Sequence, residues 1–293
     1  MKTQQADLPS LDRTRAGQSY PLPVWLNLAC LDAPLVAVAW LCLFGATFRI
    51  PLQIGNCLAL FLTAWLIYLA DRFADATSLK PDVPRSLRQD FCLRHREIWI
   101  ATVTLVAGFN AYVIWRTTAW ETILVGAVVG MLALLYLVAN HPLGLIWRSL
   151  PAKEVAIGTL FAAGVVVALL PGLPSTPVFA IAVLGFAALC WLNCISIAAW
   201  ERDLDRVQRK VSIATRHPRV AQRMGNLCLL LAVTVFMFAI VLHSAAPVFI
   251  CIGTSALLLM YVDASGAFRA DERTALADLV LLTPIAALFV MAL

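Results

Sequence analysis

Long apolar runs separated by short polar stretches organise this chain. A helix that satisfies its own backbone hydrogen bonds in lipid needs about 20 apolar residues. On that measure the candidate spans are Val24–Phe48, Pro51–Ala70, Ile98–Arg116, Trp120–Asn140, Lys153–Leu170, Val178–Trp200, Asn226–His243, Pro247–Val262 and Thr274–Leu293. Spans seven and eight are parted only by Ser244–Pro247, and the proline marks the break because it cannot continue a hydrogen-bonded helix interior. The pattern predicts an all-α integral membrane bundle of nine transmembrane helices. Residues 1–23 read as a polar cytoplasmic tail without the basic start, short apolar core and cleavage site of a secretory signal. Residues 24–293 read as a single transmembrane domain.

Composition agrees with a bilayer as solvent. The chain is 61% hydrophobic and 13% charged, against about 45–50% and about 25% in soluble domains. Sidedness follows from the basic residues: of the 22 lysines and arginines, all but Arg49 and Arg116 fall in the tail or in the even-numbered loops. The positive-inside rule then makes that side cytoplasmic. The net charge of +5 is therefore a topology signal and gives no argument for nucleic acid. Seven of the eight cysteines lie within spans and Cys92 lies in a loop, with no CxxC and no zinc-ligand spacing. They read as small buried hydrophobes.

Two apolar segments end on the same pattern of an acid, an arginine, two further residues and an aspartate. Span two ends in LIYLADRFAD, Leu66–Asp75, and span six in SIAAWERDLDR, Ser196–Arg206. Residues four apart share a helix face. Asp71 and Asp75 thus point together, with Tyr68 a turn deeper, and Glu201 with Asp205 repeat the arrangement above Asn193. Asp203 points away. If spans two and six are neighbours, four carboxylates face one another at the cytoplasmic rim. Such a set suits Mg²⁺, which takes oxygen ligands from one or two carboxylates, water and substrate phosphates. The blander alternative is a group of acids at helix ends that simply face water.

Other polar residues inside spans are expensive in lipid and are candidates for that reason. Asp32 and Asn27 in span one suit proton abstraction or pairing with a neighbouring helix. Asn110 and Asn140 read as interhelical hydrogen bonders. Trp65, Tyr68, Trp191 and Trp200 stand near the motifs as possible cation-facing walls or interfacial anchors.

In these features the chain resembles the UbiA superfamily of intramembrane prenyltransferases. The family's first motif reads roughly N-D-x-x-D-x-x-x-D. Asp71 and Asp75 match its later aspartates, while Ile67 and Tyr68 replace the leading Asn-Asp. Glu201 and Asp205 match the second motif with one Asp exchanged for Glu. The stretch LLYLVANHPLGLIWRSLPAKEVAIG is similar to the family's helix-four tyrosine, basic loop and lysine opening helix five, carried by Tyr136 and Lys153. The resemblance implies a UbiA-like bundle in which Asp71, Asp75, Glu201 and Asp205 hold Mg²⁺ and a prenyl diphosphate. Arg72, Arg202 and Lys153 would then bind phosphate oxygens by charge-assisted hydrogen bonds. The expected reaction is ionisation of the diphosphate and transfer of the prenyl group to an acceptor. Cyclisation without an acceptor, or a non-catalytic scaffold or transporter, are the alternatives.

Overall fold

The computed structural model describes residues 20–140, 153–170 and 172–293. Most of the expected tail and the loop between spans four and five lie outside them. The described residues are helical, with no strand among them. The long helices are α2 (Asp32–Phe48), α3 (Ile54–Thr77), α5 (Arg96–Thr117), α6 (Trp120–Asn140), α7 (Lys153–Val167), α8 (Pro177–Trp200), α12 (Met224–Val241) and α13 (Ala246–Ala264). The shorter ones are α1 (Leu22–Leu28), α4 (Leu87–Arg94), α9 (Arg202–Val207), α10 (Ile213–Arg216), α11 (Pro218–Gln222), α14 (Ala270–Leu279) and α15 (Thr283–Ala292).

Among the described residues, seven helical segments are long and apolar enough to cross a membrane, or eight if the bent α1–α2 pair counts as one. This is fewer than the nine expected. The described helix of span five, α7, has 15 residues. At 1.5 Å per residue it covers about 22 Å, short of the roughly 30 Å hydrocarbon thickness.

The first span is not one helix. α1 and α2 meet at 96°. Cys30 takes a left-handed conformation, φ 56°, and Leu31 N donates to Leu26 O at 2.9 Å. This is a Schellman-type helix end carried by a residue other than glycine. The same closure recurs at Arg49, φ 56°, where Ile50 N donates to Gly45 O at 2.9 Å. Asp32 restarts the chain as α2, accepting from Ala33 N at 3.0 Å and from Asn27 Nδ2 at 2.7 Å. Trp65 Nε1 donates to Ala29 O, at the break, at 3.0 Å. The break is therefore capped from within its own sequence and from α3.

The last span is also offset. A 3-10 turn, Val280–Leu282, separates α14 from α15, and Pro284 stands in the first turn of α15. Proline has no N–H to donate and so displaces the ladder. Trp40 Nε1 donates to Leu281 O at 2.9 Å. Trp40 also stacks on Phe186 with centroids 4.5 Å apart, and with Phe44 and Phe179 these rings form the centre of the largest core cluster. α7 and α8 approach closely at Gly158, where an added Cβ would stand 3.0 Å from the backbone of Cys190 and Trp191. Large apolar residues of α5, α6 and α12, such as Leu105, Val128 and Leu230, lie on the outside. That is the surface a bilayer requires.

Candidate functional site

α3 continues two turns past the expected end at Ala70. Asp71 and Asp75 therefore stand on the helix itself. α8 ends at Trp200, and Glu201 is the junction to α9, with φ −91° and ψ 5°. The i,i+4 relation survives this kink, because Asp205 N still donates to Glu201 O at 2.8 Å. Asp203 is on the open side, its side chain 88% exposed and 3.5 Å from Arg206. Asp205 is half-buried.

The loops after α3 and α8 cross-link the two acid pairs. α4 is started by a capping box between Ser86 and Gln89. Its Arg88 places a guanidinium nitrogen on both carboxylate oxygens of Glu201. In the opposite sense, Lys210 from beyond α9 pairs with Asp75 on α3. A third left-handed turn, at Arg209 with φ 57°, ends α9 and directs Lys210 there, and Lys210 N donates to Asp205 O at 2.8 Å. Gln89, 3% exposed, joins the halves. Its Nε2 donates to Asp75 Oδ2 at 2.7 Å, and its Oε1 accepts from Gln208 Nε2 at 3.0 Å. Gln208 Nε2 also donates to Pro84 O at 2.8 Å.

The remaining expected residues surround this lattice. Arg72 stands beside Cys30 and within the fields of Glu201, Asp32 and Asp75. Burial pushes the Asp205 carboxyl above the ordinary carboxylate value, opposed by Lys153 and reinforced by Glu201, with Ser212 and Lys210 also opposing. Arg202 Nε is buried without a hydrogen-bond partner. Tyr136 is 8% exposed, and Asp71 is among the charges that act on it. The sequence thus brings both motifs to one end of the bundle. Its expectation for Asn193 is different in kind: Asn193 Nδ2 donates to Asp278 Oδ1 at 2.7 Å, away from the carboxylates of the motifs.

Whether the acids suit Mg²⁺ depends on their oxygens. Asp75 and Glu201 spend theirs on Lys210, Gln89 and Arg88. Among the described residues no three His, Cys, Asp or Glu side chains converge as a metal would require. In this arrangement the set does not fit the ion.

Beside this end lies a cavity of about 380 Å³, within the 300–1,000 Å³ typical of small-molecule sites. α3, α5, α6 and α7 enclose it, and its lining reaches Tyr68 and Tyr136. Of the four aromatic residues expected near a cation, Tyr68 alone lines it. The three tryptophans hold structure instead: Trp65 caps the α1–α2 break, Trp191 Nε1 donates to Thr159 Oγ1 at 3.0 Å, and Trp200 Nε1 to Asp263 Oδ1 at 2.7 Å.

Sequence reasoning passed over Asp278, Arg88, Gln89, Lys210 and Glu154. Asp278, 6% exposed, lies inside the expected ninth span, so its cost in lipid was a usable signal. It and Asp32, 1% exposed, lie within one another's fields. Glu154, 3% exposed, accepts from Ile213 N at 3.0 Å and so ties α7 to α10. Comparison of the chain with protein-family models, curated proteins and solved structures gives no match.

Proposed function

We propose that the protein is a UbiA-type intramembrane prenyltransferase that takes an isoprenyl diphosphate from the bilayer and transfers its prenyl group to an acceptor. The observation that supports this most is the apolar cavity whose lining reaches Tyr68, one turn along α3 from Asp71. An isoprenyl tail suits those walls. The diphosphate suits the adjoining end, where Arg72 of α3, Arg88 of α4, Lys153 of α7, Arg202 of α9 and Lys210 beyond α9 are gathered. By the positive-inside rule that end is cytoplasmic.

A diphosphate competes with Glu201 for Arg88 and with Asp75 for Lys210. Each exchange keeps a charge-assisted hydrogen bond on the base, and both carboxylates are released. The end is half-buried, and a bound substrate that completes its closure would limit water around a developing allylic cation and strengthen the electrostatics around the leaving group. Mg²⁺ dependence belongs to this proposal as an expectation from the motif resemblance. It requires those two pairs to part.

The test is to incubate the purified protein with C10 to C20 prenyl diphosphates and a membrane lipid extract as the source of acceptor, with Mg²⁺ in one arm and EDTA in another, and analyse for diphosphate and prenyl products. A prenylated acceptor supports transfer, and a cyclic hydrocarbon or alcohol supports cyclisation. No release in either arm would defeat the proposal. The buried carboxyls Asp32 and Asp278, held by Asn27 and Asn193, favour a second reading as a proton-linked carrier. Proton-driven uptake into vesicles without diphosphate release would distinguish it.

A further inference from the structure

The cavity is not uniformly apolar. Asn56 of α3, at the end remote from the acids, and Asn110 of α5, midway along the lining, are 8% and 6% exposed. Each amide is oriented by its own NH₂ group. Asn56 Nδ2 donates to Ala168 O at 3.4 Å, and Asn110 Nδ2 donates to Thr63 Oγ1 at 2.9 Å. That leaves Oδ1 of each without a hydrogen-bond partner in the protein, and Thr118 Oγ1 is buried in the same state. All three residues line the cavity.

A buried acceptor left unpaired costs free energy, and lipid offers no water to repair it. Two such carbonyl oxygens give the cavity acceptors that no protein donor meets, while the Thr118 hydroxyl can accept or donate. Among the described residues no charged side chain lines the cavity, so its chemistry selects a neutral donor. Asn56 precedes Asp71 by 15 residues on one helix, about 22 Å at 1.5 Å per residue. Asn110 stands nearer, because its partner Thr63 precedes Asp71 by eight residues, about 12 Å.

We propose that this cavity binds an apolar molecule through a hydroxyl group that donates its proton to Asn110 Oδ1. The rest of the ligand lies against Ile114, Ile123, Ala127 and Val167. An isoprenoid alcohol and an alkylated phenol share this chemistry. The site stands whether or not the other end handles a diphosphate.

The experiment compares each hydroxyl compound with its methyl ether, which keeps the skeleton and loses the donor. Farnesol is set against farnesyl methyl ether, and 4-nonylphenol against 4-nonylanisole, with affinity read from thermal unfolding of the full chain in detergent. In at least one pair the hydroxyl compound binds about tenfold tighter or more, and the pair that discriminates identifies the ligand class. Asn110→Leu shrinks that ratio while binding of the ether persists. Equal affinity within both pairs, or binding of no compound, overturns the proposal without recourse to a variant. A ratio unchanged in a folded Asn110→Leu protein overturns it as well, because the hydroxyl then lies elsewhere.

Discussion

Arg88 and Glu201, 113 residues apart in sequence, form a two-pronged ion pair that ties the loop after α3 to the end of α8. Their side chains are 17% and 21% exposed, so the pair is largely shielded from water. Asp75 and Lys210 make the reciprocal tie, from α3 to the loop after α8. Each acid motif is thus held by the other motif's loop.

The first prediction follows from that exchange. Hydrogen bonds to charged groups contribute about 1.5–3 kcal/mol each way they are measured by deletion. Arg88→Ala and Glu201→Ala should each destabilise the protein by an amount in that range, and the double variant by little more than either alone. A coupling energy near zero in that double-mutant cycle, read by thermal unfolding, would show that the pair does not hold the loops together.

Cys92 gives a second reading of the same closure. It lies on α4, fully buried against Cys30, Leu69, Ala76 and Trp99. Burial pushes its thiol up to about 12, with Cys30 adding and Arg72 opposing. At pH 8 the thiolate fraction is then on the order of 10⁻⁴, and the thiolate is the reactive form. Maleimide labelling followed by peptide mass spectrometry should find Cys92 unmodified in the native protein. In Lys210→Ala its labelling should rise at least severalfold, because one tie on α4's neighbourhood is lost. Equal labelling in both proteins would place the opening elsewhere.

Much of the fold is legible because lipid leaves the backbone few choices. Every expected apolar segment contains described helix, and Pro247 does begin α13 after a short 3-10 turn. The departures arise where local chemistry gives no compositional sign. Cys30, Arg49 and Arg209 adopt left-handed conformations usually served by glycine. A search for glycine therefore misses all three helix ends, including the bend that breaks the first span.

The candidate site divides in the same way. That Asp71, Asp75, Glu201 and Asp205 stand at one end follows from helical spacing and charge asymmetry. Which base meets which acid does not, since Arg88 and Lys210 were two among many loop cations. Their pairing depends on how α4 and the turn at Arg209 fold back. Gln89 carries no charge, and its role appears only once Asp75 and Gln208 are beside it.

A third prediction concerns the unfavourable charge at Asp205. Burial raises its pKa above the ordinary value, so the folded state holds the proton more tightly than the unfolded chain. Its contribution to stability then falls as pH rises from the ordinary carboxylate value through the raised one. At pH 7 the ionised group costs stability. Asp205→Asn should raise Tm at pH 7 in EDTA, and the gain should narrow towards pH 4. A lower Tm at pH 7 would mean that Lys153, Ser212 and Lys210 outweigh burial.

The last prediction separates function from folding at the acids. If the two motifs form the diphosphate end, Ala at Asp71, Asp75, Glu201 or Asp205 should lower diphosphate release on the order of 10²-fold or more, the scale of removing one electrostatic group from a reacting centre. Each variant should still fold in detergent, checked by monodispersity and a cooperative thermal transition. Asp203→Ala is the internal control, since its side chain is 88% exposed and that of its partner Arg206 is 50% exposed. Such a change costs within about 0.5 kcal/mol, so its rate should stay within about twofold of the parent. Asn193→Ala should fall between the two classes, because it leaves Asp278 without its 2.7 Å donor yet touches none of the four acids. Should Asp203→Ala and Asp205→Ala lose activity equally, the half-buried face of α9 is not the reacting face. Activity that instead tracked the folded fraction across all variants would make the four carboxylates a structural seal for the loops and nothing more.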